Sequence, residues 1–523
     1  MKSICDNRLH LGIELGSTRI KAVLINDRFE QIAAGAFEWE NSLVDGYWSY
    51  SLDEVHRGVR DCFADLCRSF NEKYGKPLTC VASVGVSAMM HGYLAFDKDG
   101  NLLAPFRTWR NTTTERAADA LSELFSFNIP QRWSIAHLYQ AILNGEEHVG
   151  KIAHITTLAG YVHYLLTGRR ELGLCDASGM FPIKNGDYDK ELLDKFRELI
   201  KPCAYAWDIA QILPSVRPAG YAEATLTEDG ARFLSPDAPL PAGVPVCPPE
   251  GDGATGMVAT NSVLQRRGNV SAGTSVFAML VLDEPMKTMK REIDIVATPT
   301  GAPVAMIHCN NCSSELDTWV SVFGEVLALS GKGVKKGELY EMLYNHALTA
   351  PADCAGVTAY NYLSGEHVTN VPNGRPMIFS LPENRLTLAS LMRAELYSAV
   401  ATLRIGADII FADGGAKAEG FTAHGGLFKT EEVAQQILAD ALNTPITVMK
   451  TAAEGGAYGM ALLACYMLSS DGKSLEEWLA KDVFASVDSK TLAPTEAGKA
   501  GFEKYMERYK AGLCAERALA EVK

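Results

Sequence analysis

Long hydrophobic runs are the first thing this sequence lacks. No apolar stretch in its 523 residues reaches the roughly 20 positions a membrane-spanning helix needs, and GMALLACYML stops well short. Positive charge is also scarce. With 49 Lys and Arg against 63 Asp and Glu, the formal net charge of −14 disfavours nucleic acid and anionic membrane as partners. The 12 cysteines lack the spacing of a disulfide framework, which suits a reducing compartment. Cys309-Asn310-Asn311-Cys312 has no second ligand pair to complete a zinc site. The opening MKSICDNRLHLGIELG places Asp6, Arg8, His10 and Glu14 where a secretory signal needs unbroken apolar residues, so a cytoplasmic protein is expected.

What is present is an ordinary globular composition, 47% hydrophobic and 21% charged, in a chain too long for one core. Ser51-Leu52-Asp53-Glu54 reads as a capping box. Val55, Val59, Phe63, Leu66 and Phe70 follow at helical spacing, with Gly75 as a stop. TCVASVGVSAMM reads as a buried strand, and Asp97-Lys98-Asp99-Gly100 as a turn between two strands. Such alternation predicts α/β layers. The sharpest composition shift is the Pro-rich LSPDAPLPAGVPVCPPEGDG, which sets the expected boundary between domains 1–248 and 249–523. The charged, helix-forming tail is expected to pack back on the first domain.

Two short segments share an unusual pattern. In LGIELGSTRIKAVLI a hydrophobic strand is interrupted by Gly16-Ser17-Thr18 and resumes at once. GNVSAGTSVFAMLVL repeats this with Gly273-Thr274-Ser275 in the second half of the chain. Neither is a P-loop, which needs Gly-Lys-Ser/Thr before a helix. A strand–turn–strand tip with hydroxyls offers N–H and O–H donors in a small concavity suited to anions. A ligand-free polar hairpin would explain one copy; two copies in matching places favour a ligand. A third segment, IIFADGGAKAEGF, reads as a buried strand entering Gly414-Gly415-Ala416-Lys417 and then a helix, a geometry that lets a ligand lie against backbone. The small residues of AAEGGAYGMALLA suit close packing beneath such a site.

Together these segments resemble the FGGY carbohydrate kinases, relatives of actin, hexokinase and the heat-shock ATPases. GIELGSTRIKAVL is similar to the family's first phosphate motif, GNVSAGTS to the second and ADGGAKAEGF to the adenosine motif. SAMMHGYLAFDKDG is similar to the Met-His-Gly segment of the family's xylulokinases, and EGDGATGMVA holds the position of the catalytic aspartate. The resemblance implies a two-domain actin/hexokinase-like (ribonuclease H-like) duplicated α/β fold, with ATP and sugar in the cleft between domains. It implies Asp252 as catalytic base. Met90, His91, Gly92 and Trp109 are the implied sugar-binding residues. Gly16, Ser17, Thr18, Gly273, Thr274, Ser275, Gly414, Gly415 and Lys417 are implied for ATP.

Two departures from the family stand out. Glu14 replaces the Asp that helps hold hydrated Mg²⁺; it keeps the charge, so a role through water is expected. Arg110-Asn111 replaces an acidic pattern next to Trp109. The implied activity is ATP-dependent phosphorylation of a small sugar, a ketopentose such as D-xylulose. L-ribulose, L-fuculose, gluconate and glycerol remain open as acceptors, as does a sugar-independent ATPase or sensor on the same fold. The oligomeric state is left open, a homodimer included.

Overall fold

Alternating apolar positions carry the chain into Leu9–Leu15, and the Gly16-Ser17-Thr18 turn returns it antiparallel as Arg19–Asn26, with Glu14 opposite Lys21. This is the first hairpin. In the computed structural model, which describes residues 8–384, 386–414, 417–449 and 455–522, it seeds the first of two compact units. Gln31–Glu38 adds antiparallel to its outer strand. Ser83–Ala88 adds parallel to its inner one, and Glu250–Gly251 adds parallel at the far edge. The helix Leu52–Tyr74 begins at Ser51, whose side chain accepts from the Glu54 N–H, and ends at Gly75 in the left-handed conformation. Its buried Val55, Val59, Cys62, Phe63, Leu66 and Phe70 join the core under the sheet. The helix Gly455–Ser469 packs so closely on the first strand that a Cβ on Gly12 would stand 2.1 Å from the Ala457 carbonyl oxygen.

The boundary lies elsewhere than the Pro-rich stretch suggests. The first unit runs to Val263, takes Asp294–Val304, and takes a returning segment that ends at Ser486. The Pro-rich stretch is not a linker, because it forms the edge of the first sheet. Val84 N–H donates to the Pro245 carbonyl and Cys247 N–H to the Val84 carbonyl, before Glu250–Gly251 pairs with Ser87–Ala88. An edge strand is where a sheet tolerates proline. Asp252 therefore belongs to the first unit, not to the C-terminal domain as the 249–523 division implies.

The second unit repeats the plan. Its sheet includes, in spatial order, Pro303–Cys309, Val276–Val281, Arg267–Ala272, Gly420–His424, Ile446–Met449 and Ser489–Leu492. The second hairpin, Arg267–Ala272 with Val276–Val281, is antiparallel, and Gly420–His424 and Ile446–Met449 add parallel to its inner side. Both sheets thus place a hairpin, then two parallel strands, in the same spatial order, as expected of a duplicated α/β fold. The final helix Glu496–Ala520 belongs to this unit, against the expectation that it packs on the first domain. Tyr505 donates to the Ala359 carbonyl at 2.9 Å, and Tyr509 stacks on Tyr360. Among the described residues no helix is long and apolar enough to cross a membrane.

Candidate active site

Each hairpin tip has its carbonyl groups turned inward and occupied. In the first, the Gly16 carbonyl accepts from the Trp39 indole N–H at 2.7 Å, Ser17 from the Tyr50 hydroxyl at 2.6 Å, and Thr18 from the Trp39 N–H at 3.2 Å. In the second, Gly273 accepts from both the Ser313 N–H (3.0 Å) and its hydroxyl (2.6 Å), and Thr274 from the Cys312 N–H (3.0 Å). Ser275 accepts from the Gly273 N–H at 2.9 Å. With its acceptors spent on protein donors, a tip can offer a ligand amide N–H groups and hydroxyls, which suits an anion. Sequence reading finds the tips but misses Trp39, Tyr50, Cys312 and Ser313, which aim them. It also explains Cys312: the residue braces a hairpin. Both Cys309 and Cys312 are free and buried, which raises their thiol pKa values.

Asp252 opens the helix Asp252–Ala259 directly after the edge strand. Its Oδ1 accepts from the Met90 N–H at 3.1 Å and from the Gly253 N–H at 3.0 Å, so the carboxylate is tied to the end of the neighbouring strand. The side chain stays open to solvent, yet the protein packed around it raises its pKa, opposed by those two main-chain donors. Glu14 lies within electrostatic reach. Desolvation first, then the Asp252 charge, pushes the Glu14 carboxyl up to about 7, while Lys21 and the Ala457 N–H, at 3.2 Å from Oε2, pull it down. Gly456 leaves room for this carboxyl, since a Cβ there would stand 2.3 Å from Glu14 Oε1 and 2.7 Å from Thr255 Oγ1. AAEGGAYGMALLA thus supplies the expected close packing over its described part. Arg19, by contrast, pairs with Glu38 on the surface at 2.6 Å.

Met90, His91 and Gly92 follow the strand Ser83–Ala88, and the Met90 N–H reaches Asp252. His91 has a left-handed backbone, φ 70°, and is only 4% exposed. Burial first, then the Arg132 charge, lowers its pKa to about 3, so the imidazole is neutral at physiological pH. Its Nδ1 lies 3.2 Å from the Gly179 carbonyl, an acceptor, so Nδ1 carries the proton and Nε2 is left as an acceptor. Trp133 stacks on the ring at 6.0 Å. Trp109 is 38% exposed. Its neighbours in the sequence are structural. Asn111 clamps the Trp48 backbone, accepting from its N–H at 2.8 Å and donating to its carbonyl at 2.9 Å, and Arg110 lies 3.7 Å over the Trp48 ring. Arg110-Asn111 therefore fixes the Trp48 segment.

Two buried acids behind Asp252 were not singled out by the sequence. Asp176 accepts from the Thr157 hydroxyl at 2.6 Å, and burial pushes it up to about 7. Glu250 accepts from the Asp176 N–H at 3.1 Å, and burial raises it further above its usual range.

The third motif needs correction. IIFADG is no strand; it ends the 27-residue helix Leu388–Gly414. Asp413 there accepts from the Lys287 N–H at 2.7 Å, and Lys417 is exposed. Gly415 lies outside the described residues. The strand-to-Gly-Gly-to-helix connection occurs later: Gly420–His424 leads into Gly425-Gly426 and then the helix Val433–Leu442. Gly425 has φ 109°, and a Cβ on it would stand 2.2 Å from the Ala272 carbonyl oxygen, beside the tip of the second hairpin.

Among the described residues no group of three or more His, Cys, Asp or Glu converges to hold a metal ion. Glu14 and Asp252 are electrostatically coupled carboxylates, and Mg²⁺ takes one or two carboxylates from protein when phosphates and water complete its shell.

Comparisons with known proteins agree with this architecture. A curated xylulose kinase of Haemophilus influenzae is 22% identical over 522 residues, covering 96% of this chain and 98% of the relative. The solved structure of a ligand-bound xylulose kinase from Lactobacillus acidophilus superposes with TM-score 0.79 at 18% identity, covering 98% of each chain. A gluconate kinase structure from the same organism does so with the same score, identity and coverage. Residues 9–259 match the N-terminal domain, and residues 268–468 the C-terminal domain, of one family model, and this chain belongs to the FGGY family of carbohydrate kinases.

Proposed function

We propose that this kinase transfers the γ-phosphate of ATP to a hydroxyl of a small neutral sugar, a ketopentose such as D-xylulose, with Asp252 as the base. The observation that carries this reading is the pairing of Asp252, tied to the Met90 N–H, with a neutral His91 whose Nε2 can accept from a sugar hydroxyl. The raised pKa of Asp252 suits a group that must take a proton. As the acceptor oxygen bonds to the γ-phosphorus, the bond from phosphorus to the ADP oxygen breaks and the hydroxyl proton passes to Asp252. Met90, Gly92 and Trp109 would flank the sugar. Ser17 and Thr18, and likewise Thr274 and Ser275, would donate to phosphate oxygens, while Gly16 and Gly273 close the turns that present them. Gly425-Gly426 takes the adenosine role expected of Gly414-Gly415. Glu14 would hold Mg²⁺ through water, and the ion neutralises phosphate charge when bound.

Similarity to a xylulose kinase over nearly the whole chain supports a ketopentose. ADP release measured across ketopentoses, ketohexoses, glycerol and sugar acids tests the reading. The highest kcat/KM on D-xylulose is the expected result. No sugar-dependent release on any member would overturn it.

A further inference from the structure

The guanidinium of Arg132 stands beside the acceptor site, and nothing in the sequence singles it out. Its backbone carbonyl accepts from the Gly92 N–H at 3.2 Å, and the Ser134 hydroxyl donates to the Gly92 carbonyl, so Arg132-Trp133-Ser134 is laced to the His91-Gly92 segment. Its charge reaches both functional groups: it pulls down the pKa of His91 and of Asp252. Arg132 donates to Asp294 Oδ2, and Asn128 donates to Asp294 Oδ1 at 3.1 Å, so both oxygens of this carboxylate are used. The Arg132 side chain remains 25% exposed, against 12% for Asp294. Among the described residues, no side chain other than Asp294 accepts from this guanidinium, which has five N–H donors.

A cation at this place would draw an acidic sugar. Here it is neutralised by a carboxylate fixed from behind, while Asp252 lies within its electrostatic reach. We propose that Arg132 is a specificity-determining residue that donates to an acceptor oxygen, and that Asp294 is a positioning residue that caps its charge, so the site takes neutral sugars over aldonic acids. This rests on the reading of the acceptor site above.

The test compares D-xylulose with D-gluconate on the wild-type chain, Asp294→Asn and Arg132→Gln. Sugar binding is read by calorimetry without nucleotide, kcat/KM by ADP release, and folding by thermal melting. Asp294→Asn keeps the shape and the Asn128 contact but frees the Arg132 charge. It is expected to raise the gluconate-to-xylulose ratio by roughly tenfold or more, in binding and in kcat/KM. Arg132→Gln is expected to weaken both sugars without raising that ratio. An unchanged ratio in a folded Asp294→Asn overturns the proposal. Should that variant not fold, unaltered sugar binding by Arg132→Gln overturns it instead. Wild-type protein that binds neither sugar overturns this inference together with the reading beneath it. Xylulose binding without ADP release overturns only that reading.

Discussion

Asp252→Asn is the sharpest perturbation of the proposed chemistry. Both main-chain donors, Met90 N–H at 3.1 Å and Gly253 N–H at 3.0 Å, point at one oxygen, Oδ1, which an Asn amide can present in the same place. Those bonds weaken when their acceptor loses its charge, at a cost of about 1 kcal/mol, so the loop should hold. The amide cannot accept the proton from the attacking hydroxyl. Loss of a positioned base typically lowers phosphoryl transfer by about 10²–10⁴-fold, or about 3–5 kcal/mol in the barrier. A second consequence follows from electrostatics. Asp252 is the second cause of the raised Glu14 pKa, so its removal lets Glu14 ionise more fully at neutral pH, and Mg²⁺-ATP affinity should hold or rise. The assay is sugar-dependent ADP release beside calorimetric titration of ATP. Near-normal turnover would refute Asp252 as base. Loss of ATP affinity in step with turnover, or a lowered melting temperature, would assign it to metal binding or to structure.

Three further outcomes test the surrounding geometry. His91→Ala should raise the KM for sugar by roughly ten- to a hundredfold while ATP affinity stays nearly constant, because one buried hydrogen bond to the acceptor is lost; equal loss of both would make His91 structural. Gly456→Ala forces a methyl to 2.3 Å from Glu14 Oε1, so KM for Mg²⁺-ATP should rise and stability should fall by about 1–3 kcal/mol, read by denaturant titration. In the second unit, Glu395 is 1% exposed, and burial first, then Glu315, pushes its carboxyl up to about 8. The folded state therefore binds this proton more tightly than the unfolded chain, and its stabilising effect is lost as pH rises through about 8. Glu395→Gln should melt like the wild type near pH 4 and gain about 2–4 kcal/mol over it at pH 9; a pH-independent difference would contradict the assignment.

Local grammar made much of this protein legible. The capping box at Ser51, the stop at Gly75 and both strand–Gly–hydroxyl–strand tips are written within a few residues, and each stands where its sequence puts it. The errors share one cause: a short segment's fate was decided by a distant partner. Prolines 245 and 249 look like a linker until Ser83–Ala88 claims the chain beside them as an edge strand. IIFAD is apolar enough for a strand, yet it continues a helix that starts at Leu388. Arg132 and Asp294 meet across 162 positions, and no spacing rule couples them.

The duplication itself holds the information that single motifs lacked. In the first unit the strand parallel to the hairpin, Ser83–Ala88, runs into Met90-His91-Gly92, with positive φ at His91 and Gly92. In the second unit the corresponding strand is the one parallel to Arg267–Ala272, namely Gly420–His424, and it runs into Gly425 at φ 109°. Both turns leave the same end of equivalent strands, where α/β sheets gather ligands. Requiring each half to carry a hairpin, then a parallel strand, then a turn needing positive φ discriminates between the two Gly-Gly pairs. Gly414 ends a helix and fails; Gly425-Gly426 follows the parallel strand and passes. In the first unit Asp252 follows the next parallel strand and is tied to the turn through the Met90 N–H. On the proposed reading, one half of the repeated scaffold carries the base and the other a glycine turn that leaves its backbone open to a ligand.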